Sequence, residues 1–127
     1  RKTEKLYRRS AYVFFQKDEK ETLNWWAGEG GKLHASKLRI LVKEALKIQE
    51  INADDFYDFF KRYTQFENQI VIELLEETKE NEVLADLYSQ TELDRINKLN
   101  AQAAMLITFL RKPEIFEKLK HLCKNEK

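Results

Sequence analysis

Between Asp54 and Thr78 the chain reads DDFYDFFKRYTQFENQIVIELLEET, and Phe56, Phe59, Tyr63, Phe66, Ile70 and Leu74 return at steps of three and four. Phe60, Val71 and Leu75 widen the stripe into a broad apolar face. A strand would scatter these residues over both of its faces, so the spacing predicts a helix, roughly 35 Å long at 1.5 Å per residue. A rod of that length spans a small domain, and the other segments must pack around it. Phe59, Tyr63, Phe66 and Ile70 are expected among the most buried residues. Asn52 is a suitable N-cap, with Ile51 and Phe56 at the staple positions and Asp54, Asp55 and Asp58 near the positive end of the helix dipole.

The flanking segments carry the same period. Arg1–Trp26 places Leu6, Tyr7, Ala11, Val13 and Phe14 on one helical arc, with Tyr12 and Phe15 outside it. Gly28-Glu29-Gly30-Gly31 is expected to break this helix and form a hinge. A second helix is expected from about Ala35 or Ser36 to Glu50, with Leu38, Leu41, Val42, Ala45 and Ile48 facing the core. After a bend near Lys79–Asn81, Val83, Leu84, Leu87 and Tyr88 form a short stripe. Thr91 with Asp94 resembles a capping box opening the next helix, whose stripe is Leu93, Ile96, Asn100, Ala103, Ile107 and Leu110, with Leu99 and Leu106 beside it. Pro113 suits the first turn of a last helix bearing Ile115, Phe116, Leu119 and Leu122.

One proline and three glycines in 127 residues leave too few turn residues for a β-rich fold. The expectation is an all-α, single-domain bundle of five or six helices, residues 1–127, around the long central helix. The chain opens at Arg1 rather than Met, so this reading extends to a fragment of a longer protein. The single cysteine, Cys123, cannot form an internal disulfide, and no apolar run approaches the roughly 20 residues that cross a bilayer. A cytoplasmic protein without membrane contact is expected. The net charge of +1 exerts no general attraction on nucleic acid, which leaves local patches.

No residue group identifies a reaction. The glycine stretch lacks a preceding strand and the Gly-Lys-Ser/Thr ending of a phosphate-binding loop. Glu73, Glu76, Glu77 and Glu80 share a helix face, but a bundle di-metal site also needs Glu-x-x-His pairs. Glu117 and His121 could be two ligands without a third, and His121 points about 200° from Cys123, which excludes a dyad between them. No catalytic residue, metal, cofactor or small-molecule substrate is expected.

Two surfaces remain. Trp25 and Trp26 are adjacent, so they point about 100° apart on a helix and a core can readily take only one. With Tyr12 and Phe15 they are expected to contact a protein partner or a second copy of the chain. Arg39, Lys43 and Lys47, at steps of four, form a basic ridge which Lys32 and Lys37 extend, a candidate for phosphate contacts. Gly31–Arg39, GKLHASKLR, resembles a helix-opening segment in the small all-helical subunits of type III CRISPR effector complexes. That resemblance stops before Tyr63–Ile72, which is polar and acidic where that family has an aromatic and basic motif. It implies only how a small helical subunit can lay a basic ridge on a nucleic-acid backbone. The first expectation is a non-catalytic interaction module, a subunit or adaptor of a larger complex; the alternative is a nucleic-acid-binding helical subunit.

Overall fold

The computed structural model describes residues 28–124, so the expected first helix, with Tyr12, Phe15, Trp25 and Trp26, lies outside the described residues. The described part is all-α: α1 (Glu29–Ala45), α2 (Ala53–Thr78), α3 (Glu82–Ser89), α4 (Leu93–Arg111) and α5 (Pro113–Leu122). The periodic run is α2, about 39 Å long at 1.5 Å per residue. It packs against each of the other four helices, and α4 and α5 also meet. It is the central rod.

Local chemistry sets most of the boundaries. Asn52 Oδ1 accepts from the Asp55 amide at 2.9 Å, and the staple residues Ile51 and Phe56 are each 1% exposed. Asn81 repeats the device for α3, accepting from the amides of Val83 and Leu84 at 3.0 and 3.2 Å. Pro113 stands in the first turn of α5, where its missing N–H costs nothing.

Three boundaries differ from the sequence reading. The glycine stretch starts α1 rather than preceding it: Gly28 is the N-cap of α1, and Gly30 and Gly31 lie in its first turn. Glycine costs about 1 kcal/mol inside a helix. The offset is close packing, because Gly31 and Ala35 are both buried one turn apart, and Ala35 joins Phe56, Phe59 and Phe60 in one cluster. At its other end α1 stops at Ala45 rather than Glu50. Lys47 adopts a left-handed φ of 57°, the Ile48 amide donates to Lys43 O at 2.9 Å, and the Lys47 amide donates to Glu44 O at 3.3 Å. This is a Schellman turn. Its apolar contact comes from Ile48, which is buried beside the partly buried Val42. Thr91, finally, does not open α4. Its hydroxyl donates to Leu87 O at 2.6 Å and closes α3, while Glu92 takes the N-cap position without a side-chain cap bond.

Buried residues fall into two groups along α2. Ala35, Ile48, Ile51, Phe56, Phe59, Phe60 and Ile115 form an aromatic core toward its N-terminal half, bordered by Tyr63, Phe66, Leu119 and Leu122. Ring contacts run Phe56–Phe59–Tyr63–Phe116–Phe109 with centroids 5.7 to 6.3 Å apart, tying α2 to α5 and α4. Phe59 and Ile70 are buried as expected, whereas Tyr63 and Phe66 are only partly so. Toward the other end, Leu75 and Thr78 of α2 are buried, as are Ala85 and Tyr88 of α3 and Ile96, Asn100, Ala104 and Thr108 of α4. Thus α4 turns a narrow, half-polar strip inward. Leu93 and Leu110, expected in its core stripe, are exposed, and on α1 Leu41 and Ala45 also face outward.

Candidate functional site

The inward strip of α4 follows steps of four from Ile96 to Thr108, so the helix's leucines are left on another side. Leu99, Ala103, Leu106 and Leu110 follow steps of four, three and four and lie about 120° around the helix from the centre of that strip. Leu99, Leu106 and Leu110 are 40%, 60% and 78% exposed. Met105 and Phe109, also exposed, widen the patch on one side. Phe109 rests its ring against Phe116 of α5, which fixes the C-terminal edge. Arg111 is held away by an ion pair with Glu73 of α2 at 2.8 Å.

No charged residue occurs from Leu99 to Leu110, in a chain that is 35% charged. A helix packed on one side normally carries charge on the other. Here the outward side is as apolar as the inward one, and depletion of charge is what marks the centre of a protein interface. The sequence reading assigned these leucines to the core or its border. The signal that separates them is this uncharged run, which holds more large apolar residues than one strip can bury.

The residues of the basic ridge lie in different settings. Lys32 and Lys37 are exposed on α1. Arg39 is largely buried, its Nη1 donating to Ile51 O at 3.1 Å and pairing with Glu50 at 3.5 Å, so it braces the α1–α2 connection. Lys43 pairs with Glu44 at 3.3 Å, and Lys47 sits in the Schellman turn beyond the helix. The geometry gathers Lys32, Ser36 and Arg39 with Asp54 and Tyr57 around a cleft of about 170 Å³ at the start of α2. Lys32 Nζ and Lys61 Nζ stand 5.9 and 4.9 Å from the Tyr57 ring centre.

Among titratable groups, burial pushes the Glu67 carboxyl above the usual carboxylate range, partly opposed by the hydrogen bond from Tyr63. Burial first, and then the neighbouring Glu67, pushes the Tyr63 phenol up. Burial also raises the Cys123 thiol, which packs at the edge of the aromatic core. Among the described residues no group of three or more His, Cys, Asp or Glu side chains is arranged to hold a metal ion. No described helix is long and apolar enough to cross a membrane. Comparison of the chain with protein-family models, curated proteins and solved structures finds no match.

Proposed function

We propose that the protein is a non-catalytic helical interaction module, a subunit or adaptor, whose contact surface is the outward side of α4. The observation that carries this reading is the exposure of Leu99, Leu106 and Leu110 along a stretch without charge. Tyr12, Phe15, Trp25 and Trp26 supply a second candidate contact on sequence grounds. The test is the native size of the protein in an extract of its host, with the chain at natural abundance. Wild type is expected in an assembly larger than a 15.2 kDa monomer, and the Leu106→Glu, Leu110→Glu double variant as a folded monomer. Monomeric migration of both chains would overturn the reading.

A second reading is contact with a nucleic-acid backbone, favoured by the Lys32, Ser36 and Arg39 side of the cleft with Lys37 beside it. Asp54 on the same cleft and the ties on Arg39 and Lys43 weigh against it. Gel-shift titration with single- and double-stranded RNA and DNA decides it. Retardation that fades with salt supports it, and none at high protein concentration removes it.

A further inference from the structure

We infer that the partner on α4 is a second copy of this chain, with the two α4 helices packed antiparallel about a two-fold axis. The inference rests on the interaction-module reading and commits that surface to one occupant.

Three observations carry it. First, Leu99, Ala103, Leu106 and Leu110 have the alternating four-three spacing with which helices interlock knobs into holes. The pattern fits its own reverse: in antiparallel register Leu99 meets Leu110 of the second copy and Leu106 meets Ala103. Large then faces small in the two inner layers, and the relation is reciprocal, as a two-fold interface requires. A parallel pairing in register would set Ala103 against Ala103 and leave a gap between leucine layers.

Second, the area is of the right order. At about 200 Å² for a fully exposed large apolar side chain, the exposed parts of Leu99, Leu106 and Leu110 offer roughly 350 Å² per chain. Two copies bury about 700 Å² from these leucines alone, and the residues flanking the seam, Phe109 and Gln102 among them, supply the rest of the about 1,000 Å² that a specific interface needs. Third, charge does not oppose it. The chain's net charge is +1 and no charged residue lies between Leu99 and Leu110, so nothing in the patch repels its copy.

Sedimentation equilibrium of the full chain tests the association, and disulfide trapping tests the orientation. Wild type is expected to show a concentration-dependent monomer–dimer equilibrium, which Leu106→Glu weakens at least about a hundredfold, since the change removes a central anchor from both sides. Circular dichroism checks that the variant keeps its helicity. Should Leu106→Glu fail to fold, Leu110→Lys provides the same reading, because Leu110 is 78% exposed. In a Cys123→Ser background, mixing Leu99→Cys with Leu110→Cys is expected to give mainly the mixed cross-link. A preference for like-with-like cross-links would overturn the antiparallel arrangement. A wild-type chain monomeric at every concentration would overturn self-pairing. If that monomer nevertheless sits in a larger assembly in host extract and Leu106→Glu releases it, self-pairing has failed while the interaction-module reading stands.

Discussion

The Tyr88 hydroxyl donates to Asn100 Oδ1 at 2.6 Å, and with both residues almost fully buried this bond joins α3 to α4 inside the fold. It explains how a helix as short as α3 is held: eight residues are too few to be stable alone, and a buried polar link fixes its place on α4. The same bond helps select which side of α4 faces inward. Turning α4 to bury its leucines would carry Asn100 away from Tyr88 and leave the buried Tyr88 hydroxyl without its acceptor.

Tyr88→Phe should therefore cost about 1–3 kcal/mol, the penalty of stranding the Asn100 amide, as read from urea unfolding. The Asn100 Nδ2 already lacks a hydrogen-bond partner among the described residues, so the site has nothing in reserve. Asn100→Leu in the Tyr88→Phe background should recover part of the loss. A double-mutant cycle with no coupling would mean that the bond does not organise this end of the bundle.

Truncation of the aromatic core should follow observed burial rather than position in the apolar stripe. Phe56, 1% exposed, should cost about 3–5 kcal/mol on change to alanine. Phe66, partly buried with Lys112 Nζ 5.8 Å from its ring centre, should cost distinctly less. Equal losses in thermal or chemical denaturation would place Phe66 deeper than its exposure indicates.

That contrast shows where the sequence was informative. The α2 span, its Asn52 cap and the first-turn Pro113 were legible because each depends on neighbouring residues: a period, a side-chain oxygen, a missing N–H. The inward side of α4 was legible only at its start: Ile96 and Asn100 belong both to the expected stripe and to the observed strip, but the strip continues through Ala104 and Thr108 rather than Ala103, Ile107 and Leu110. What holds Asn100 inward is Tyr88 of another helix. The candidate contact surface was not legible, since leucine at a helical spacing reads alike whether it faces a core or a second chain. Gly31 read as a hinge because its use, letting α1 sit close on the aromatic side of α2, depends on a helix more than twenty residues away. The proposed contact through Tyr12, Phe15, Trp25 and Trp26 lies outside the described residues and rests on the sequence alone.

Lys47 offers a test of the α1 terminus. A side chain at the left-handed position of a Schellman turn costs about 1 kcal/mol relative to glycine. Lys47→Gly should thus raise stability by up to that amount while keeping the helix end, whereas Lys47→Val should lower it. The absence of glycine at this position is also why the sequence reading ran the helix on to Glu50. A loss of stability in the glycine variant would show that the Lys47 side chain itself holds the turn.

The last prediction concerns pH. Burial raises the Glu67 carboxyl above its ordinary range, and the Tyr63 hydrogen bond, which favours the carboxylate, offsets only part of that. The folded chain therefore holds the Glu67 proton more tightly than the unfolded chain. The linked stability is fully present below the ordinary glutamate value of about 4.3 and is lost as pH rises through the raised value. At neutral pH the fold carries a carboxylate in a site that disfavours it. Glu67→Gln keeps an oxygen to accept from Tyr63 and removes the charge, so it should raise the melting temperature at about pH 7. The gain should shrink toward zero by about pH 4, where the wild-type carboxyl is itself neutral. Thermal melts of both chains across that range provide the measurement. A variant less stable than wild type at neutral pH would mean that the charge-assisted bond from Tyr63 outweighs the burial of Glu67.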